Sequence, residues 1–319
     1  MLRYIIKRIL IAIPVFLGIT IVVFALVMSM PGDPFTGMLD PGMSAEYKQR
    51  MMEAYGYNDP VPVQYVRWLG RVLQGDMGYS STYKARVMDI IGSRMNNTAL
   101  LGGVSLLIST FLGIPAGIWV ATHKRSLLDQ GMTIFCFFGI SVPAFFFSML
   151  LILLFGMTLN WLPISGMITP GANYTGFAHV VDVIRHMVMP VLVLSLLNTA
   201  SFMRYTRSSV IDVYGQDYVR TARAKGVPRW SLVMRHVFKN ALIPIITVIS
   251  LQVPSMLSGA LLTETVFVWP GIGQLNYQAV QNRDYFLIMG IVMVLAVITL
   301  LINLIADICY ALVDPRIRY

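Results

Sequence analysis

The sequence has 319 residues, of which 56% are hydrophobic and only 12% are charged, and its mean hydropathy is +0.69. Soluble domains carry about 25% charged residues, so this composition excludes an ordinary soluble enzyme. A helix needs about 20 apolar residues to cross a membrane, and several uncharged runs reach that length. The runs are continuously apolar rather than alternating, which excludes a barrel of strands. We therefore predict an all-α, polytopic membrane protein.

The net charge is +9. In a soluble protein this balance would suggest nucleic acid as a partner, but in a membrane protein it indicates basic loops on the cytoplasmic side. We therefore expect no nucleic-acid partner. The two cysteines, Cys136 and Cys309, lie inside apolar runs without metal-ligand spacing. They predict neither a disulfide framework nor a metal site.

Six transmembrane helices are predicted from the apolar runs. Residues 1–30 begin with Arg3, Lys7 and Arg8 and continue with a run longer than the apolar region of a signal peptide, which favours an uncleaved first helix. The predicted spans are 9–28, 98–121, 131–155, 187–205, 241–263 and 285–312. Most of the Lys and Arg residues then fall in segments on the side of the N-terminus, so both termini are predicted to be cytoplasmic.

The segment 31–96 is too long and too polar for a simple turn, and it contains aromatic residues such as Tyr65 and Trp68. We expect a small ordered extracytoplasmic subdomain, with a floppy loop as the alternative. Ser44 is a candidate N-cap for a short helix at 44–52.

Proline and glycine recur inside the spans. Gly113 and Gly117 form a G-x-x-x-G pair, which allows two helix backbones to approach closely. Pro143, Pro190 and Pro254 are expected to bend their helices. Such breaks in the helices favour a transporter over a single-pass anchor. They do not indicate which substrate it carries.

The loop 204–240 is predicted to lie in the cytoplasm and is too long for a tight connection. A short helix is expected from Asp217 to Lys225, with an acidic start, a basic end and Gly226 as its stop. Ala222 and Ala224 are small enough for a partner surface to approach. Composition alone leaves open a second interpretation, a basic amphipathic helix on anionic lipid. The candidate residues for contact with a partner, which the resemblance described next would make an ATPase, are Asp217, Tyr218, Arg220, Thr221, Ala222, Arg223, Ala224, Lys225 and Gly226.

This loop resembles the cytoplasmic motif of ABC-importer permeases, E-A-A-x3-G-x9-I-x-L-P. With Gly226 at the motif glycine, Arg220 stands at the Glu position, His236 at the Ile position, and Pro244 comes five residues late. The stretch T-A-R-A-K-G and the later H-x-x-x-N-A-L-x-P instead resemble the oligopeptide/dipeptide branch. Stretches at 30–34, 64–69, 75–80, 264–273 and 310–316 are similar to the first permease of that branch.

The resemblance implies a type I importer permease with a MetI-like core over residues 97–312 and a cytoplasmic tail at 313–319, in a bacterial plasma membrane. Its implied partners are a second homologous permease, two cytoplasmic ATPase subunits and an extracytoplasmic peptide-binding protein, besides membrane lipid. No G-x-x-x-x-G-K-[ST] phosphate loop occurs in the sequence. ATP and Mg are therefore expected on the ATPase subunits, with no cofactor on this chain.

The resemblance implies oligopeptides or dipeptides as substrates, with glutathione or a nickel chelate as alternatives within the branch. Glu264, at the outer end of the fifth span, is a candidate for the outer gate or the pathway, with a solvated structural position as the alternative. A stand-alone secondary transporter is the alternative from another class. It would predict inverted repeats or paired intramembrane charges. An intramembrane enzyme would need matched catalytic groups, and Ser105, Ser109 and Ser141 have no evident partner.

Overall fold

The computed structural model describes residues 2–30, 58–124 and 126–313, with five further positions between 46 and 56. Most of the predicted helix at 44–52 lies outside the described residues. So do the motif residues 31–34, Arg125 and the tail from Asp314 onward.

The described chain is helical, with one isolated antiparallel bridge between Tyr79 and Arg86. We number the helices in chain order. They are α1 (Leu2–Met28), α2 (Val61–Leu73), α3 (Val87–Thr122), α4 (Leu127–Ser141), α5 (Ala144–Leu151), α6 (Gly176–Tyr214), α7 (Asp217–Ala224), α8 (Arg229–Ser231), α9 (Lys239–Gly259), α10 (Leu261–Val266), α11 (Ile272–Gln281) and α12 (Tyr285–Val313). Two π-helical segments, Ile152–Thr158 and Leu232–Phe238, continue α5 and α8.

Within the described residues, five helical stretches are long and apolar enough to cross a membrane, and a bent pair of helices raises the number to six. The five are Ile5–Met28, Val87–Thr122, Gly176–Tyr214, Arg229–Pro254 and Tyr285–Cys309. The prediction of a polytopic helical protein is therefore confirmed. Several helices are longer than their predicted spans, since apolar runs mark only the part of a helix that lies in hydrocarbon.

The predicted span at 131–155 is bent, as expected from Pro143. It consists of two helices, Leu127–Gly139 and Ala144–Thr158, which meet at 96°. The break falls at Pro143, and the residue before it, Val142, has extended backbone angles (φ −80°, ψ 122°). The proline ring disfavours helical geometry at the preceding residue and removes a backbone donor, which explains why one apolar run forms two helices.

The contacts divide the chain into two compact units. The first, here called the N-terminal unit, consists of residues 2–98 and 270–301. The second, the core unit, consists of residues 99–269 and the chain from 302 onward. This division cuts across the predicted segments, because residues 270–301 group with the first hundred residues.

The N-terminal unit has its own apolar core. Phe24 of α1 packs against Tyr65 and Trp68 of α2, with ring centroids 5.5 Å apart in both pairs. Trp68 is buried in one cluster with residues of α1, α3, α11 and α12. The described part of the predicted subdomain is therefore ordered and packed.

In the core unit α3 and α6 approach each other at the predicted G-x-x-x-G pair. A Cβ added at Gly117 would lie 2.7 Å from the carbonyl oxygen of Met203 and from Thr206 Cβ. A Cβ at Gly113 would lie 2.9 Å from Phe202 Cβ. Real Cβ atoms do not tolerate such distances, so the prediction of a close helix approach is confirmed.

Candidate functional site

Helix α7 runs from Asp217 to Ala224, close to the predicted bounds, and its end is fixed by backbone hydrogen bonds. The amide of Gly226 donates to the carbonyl of Arg223 at 3.0 Å, and the amide of Val227 donates to that of Ala222 at 3.3 Å. This bond pattern is a Schellman cap, which needs a left-handed residue after the helix. Gly226 supplies it with φ +77°, because glycine has no Cβ to oppose that conformation.

One face of α7 is anchored in the core unit. Val219 is completely buried and Ala222 nearly so. Fully burying a valine side chain contributes about 1.5–3 kcal/mol, so Val219 holds the helix by its apolar face. The buried residues around them are Val210, Leu232, Val237, Ala241 and Ile245.

The opposite face of α7 is exposed and carries charges of both signs. Arg220 lies 3.5 Å from Asp217, and Arg223 lies over the ring of Tyr214 at 4.9 Å. Partial burial raises the pKa of the Tyr218 hydroxyl. The exposed residues are Asp217, Tyr218, Arg220, Thr221, Arg223, Ala224, Lys225 and Gly226.

The structure separates the two alanines that were expected to admit a partner. Ala222 is buried against the chain's own loop, whereas Ala224 is exposed. The expectation of close approach therefore does not apply to Ala222 and stays a prediction for Ala224.

A hydrogen bond ties the segment after α7 to the end of α3. Arg229 Nη2 donates to the carbonyl oxygen of Thr122 at 2.9 Å. The π-helical segment Leu232–Phe238 follows and leads into α9, with Leu232 and Val237 buried. The sequence did not reveal this π-helical hydrogen bonding, which depends on local packing.

Glu264, the predicted outer-gate candidate, is completely buried in α10, so its predicted alternative, a solvated position, is wrong. Its carbonyl oxygen accepts a 2.8 Å hydrogen bond from the amide of Trp269, which is also completely buried. In this conformation the Glu264 side chain is enclosed by protein and does not line an open passage. A role in gating stays a prediction.

Sequence reasoning missed several polar contacts inside the core unit. Arg207 of α6 forms two hydrogen bonds with the buried carboxylate of Asp129 of α4, at 2.7 and 3.0 Å. Asp182 of α6 accepts bonds of 2.7 Å from both the amide and the hydroxyl of Thr169. The residues of these contacts are 78 and 13 positions apart, beyond the reach of a pattern within one helix, so the sequence did not reveal them.

A third missed contact joins two helices at mid-length. Gln252 of α9 donates from its side-chain amide to Asn198 Oδ1 of α6. Such polar pairs hold membrane helices together. Among the described residues no cluster of three or more potential metal ligands is present.

These features define the class of protein: a multi-pass helical membrane protein with a short exposed helix of mixed charge. Residues 113–319 match the family model of the binding-protein-dependent transport system inner membrane component, and residues 1–102 match the model of its N-terminal region. The chain belongs to this family. It is therefore the permease subunit of an ATP-driven ABC importer, and ATP hydrolysis resides on a separate subunit.

The names of two full-length relatives state a substrate. The chain is 42% identical over 320 residues to the oligopeptide transport system permease protein AppB of Bacillus subtilis, covering 100% of both chains. It is 36% identical to the dipeptide transport system permease protein DppB of Escherichia coli K12, covering 100% of this chain and 99% of the relative.

A solved structure supports the fold. The methionine ABC transporter MetNI in an inward-facing conformation matches with a TM-score of 0.56 and 14% identity, covering 71% of this chain and 97% of the transporter chain. At this identity the likeness establishes a shared fold and no more. The expected MetI-like fold is thereby confirmed.

Proposed function

We propose that this chain forms one half of the translocation pathway of an importer for oligopeptides or dipeptides. We further propose that the loop 204–240 is its coupling loop and that α7, the coupling helix in this loop, is gripped by a cytoplasmic ATPase. The observation that carries the proposal is the two-sided character of α7. Val219 and Ala222 anchor it in the core unit, while its charged face is free to meet a partner. A helix anchored in this way can transmit a push from a partner into α6 and α9.

The peptide substrate is supported by the relatives, since one is an oligopeptide and another a dipeptide permease. The remaining components are proposed from the same likeness. They are a second homologous permease, two ATPase subunits that hold ATP and Mg, and an extracytoplasmic peptide-binding protein. In this assembly each permease would offer one coupling helix to one ATPase.

The proposal also fixes an orientation, with both termini and α7 in the cytoplasm. Lys and Arg concentrate in the segments assigned to that side, as positively charged loops do in membrane proteins. The described part of the N-terminal unit between α1 and α3 would then lie outside, where a binding protein could reach it.

Cysteine crosslinking in membranes of the native host tests both the coupling surface and the orientation. Cys136 and Cys309 are first replaced by Ser, and Ala224→Cys is introduced on the exposed face of α7. We expect a short bifunctional maleimide to join this cysteine to a subunit that mass spectrometry identifies as a phosphate-loop ATPase. Ala222→Cys, on the buried face of the same helix, is the matched control and should give no product.

A membrane-impermeant maleimide tests on which side of the membrane each introduced cysteine lies. Ala224→Cys should react only in inverted vesicles, whereas Asn282→Cys, on the exposed turn after α11, should react in intact spheroplasts. Labelling of Ala224→Cys from outside would overturn the orientation. Crosslinking of Ala222→Cys and Ala224→Cys with equal yield would overturn the assignment of the face.

The substrate is tested by uptake. A strain lacking this chain should lose uptake of radiolabelled dipeptides or of tri- to pentapeptides while it keeps uptake of free amino acids. Restoration by the wild-type gene and not by a gene carrying Gly226→Trp would link uptake to the coupling loop. Unchanged peptide uptake in the deletion strain would contradict the proposed substrate.

A further inference from the structure

A groove in the core unit lies beside the base of the coupling loop and is distinct from the exposed face of α7. It has a volume of about 800 Å³ and runs between the end of α3 and the segment Arg229–Phe238. This volume falls within the range of about 300–1,000 Å³ that is typical of small-molecule sites. The groove therefore has room for a ligand of that size.

The two ends of the groove differ in chemistry. At one end the walls are apolar and are formed by Ile114 and Ile118 of α3 and by Val233 and Phe238. Such walls fit a hydrocarbon chain, since burying each CH₂ group contributes about 0.8 kcal/mol.

The other end is aromatic and basic. Trp119 and Trp230 line it, and Trp230 is largely exposed, whereas Trp119 is about half exposed. Arg229 and His123 complete this end, and Arg229 is held there by its 2.9 Å bond to the carbonyl of Thr122. Tryptophan is enriched where a membrane meets water, and among the described residues that line the groove none is acidic.

We propose that this groove binds an anionic phospholipid, with an acyl chain between Ile118 and Val233 and the headgroup phosphate at Arg229. Charge complementarity supports this occupant, because Arg229 lines the groove and the exposed Lys124 directly follows the lining residue His123 in the chain. A guanidinium with several donors is well suited to phosphate. The bound lipid would also brace the base of α7, since Arg229 follows the Gly226–Val227 cap by two residues. This last point rests on the proposed function.

Quenching of tryptophan fluorescence by brominated lipid tests the site directly. The purified full-length chain is placed in phosphatidylcholine nanodiscs that contain increasing fractions of brominated phosphatidylglycerol or brominated phosphatidylcholine. The signal of Trp230 is the difference between the wild type and Trp230→Phe. We expect half-maximal quenching at about fivefold lower fractions of phosphatidylglycerol, the preference given by one basic residue close to an anionic headgroup.

Three variants test whether the preference for phosphatidylglycerol depends on Arg229. Arg229→Gln should abolish the preference for phosphatidylglycerol, and Arg229→Lys should keep part of it. Arg235→Gln, an exposed basic residue that does not line the groove, should leave the preference unchanged. Equal quenching by both lipids in the wild type would overturn the proposal. Protection of Trp230 from both lipids would also overturn it, because a protein surface would then cover the groove.

A separate experiment measures whether the bound lipid affects coupling. It follows the ATPase activity of the assembled complex as the fraction of phosphatidylglycerol increases. Stimulation in the wild type and its loss in Arg229→Gln are expected. If no ATPase assembles with the chain, the proposed function fails, whereas the quenching measurement still reports whether the groove binds lipid.

Discussion

The hydroxyl of Ser80 donates a 2.5 Å hydrogen bond to the buried carboxylate of Asp284, a residue 204 positions later in the chain. The same carboxylate accepts bonds from the amides of Thr82 at 3.1 Å and of Leu287 at 3.2 Å. Asp284 therefore caps α12 and also holds the turn before α3. One carboxylate joins two segments of the N-terminal unit that the sequence separates widely.

Replacing Asp284 by Ala is predicted to destabilise the N-terminal unit by about 2–3 kcal/mol, since it removes a helix cap and leaves the buried Ser80 hydroxyl without its acceptor. Asp284→Asn keeps one carbonyl oxygen and should have a smaller effect. Apparent melting temperatures of the purified chain in detergent measure both. The control is Asn282→Ala on the exposed turn. Equal melting temperatures for Asp284→Ala and the wild type would contradict the assigned role.

Gly226→Ala is predicted to weaken coupling through backbone strain alone. An added Cβ would meet nothing within 4 Å, but a left-handed conformation costs about 1–2 kcal/mol in a residue with a side chain. Gly226→Asn should cost less, because Asn tolerates this region better. The measurement is the ratio of peptide transported to ATP hydrolysed by the reconstituted complex.

Gly215→Ala provides the control for that experiment. Gly215 ends α6 with φ −79°, which any residue adopts, and its added Cβ would make only ordinary contacts. A loss of coupling in Gly215→Ala as large as that in Gly226→Ala would show that the Schellman cap is not the cause.

Gly117→Ala is predicted to force α3 and α6 apart, because its Cβ would lie 2.7 Å from a backbone oxygen that cannot move alone. Overpacking of this kind costs about 1–3 kcal/mol. Gly103→Ala is a matched control in the same helix, since its added Cβ would meet nothing within 4 Å. Thermal unfolding in detergent should separate the two variants, and similar melting temperatures would argue against close contact at Gly117.

Asp129→Asn or Arg207→Gln is predicted to destabilise the core unit by removing one half of a bidentate ion pair. Breaking a fully buried pair costs about 3–5 kcal/mol, and we expect a smaller loss because the Arg207 side chain is 32% exposed. A double-mutant cycle on unfolding in mixed micelles measures the coupling. Additive effects of the two substitutions would contradict a direct interaction.

Several features of the fold were predictable because they depend on local sequence. Gly226 marks the end of α7 since a glycine after a basic turn is a helix stop, and α12 begins at Tyr285 as predicted. The G-x-x-x-G pair at Gly113 and Gly117 indicated a close helix approach that the structure contains. Each of these signals lies within a few neighbouring residues.

Other features depend on which distant segments meet, and the sequence could not reveal them. Asp284 looks like an ordinary loop acid until its three donors are known, and Asp129 looks like the polar start of a span until Arg207 approaches it. Pro143 was recognised as a bend, but the sequence could not give the angle of 96° at which the two helices meet. The small size of Ala222 could not show that it is buried against residues of the same loop.

The central claim is that this chain works as one permease of a larger importer, and co-purification tests it most directly. The chain is tagged in its native host and solubilised gently, and its partners are identified by mass spectrometry. The account predicts recovery of a second, homologous permease and of phosphate-loop ATPase subunits. Repeated recovery of the folded chain alone, under conditions that preserve other membrane complexes of the host, would contradict it.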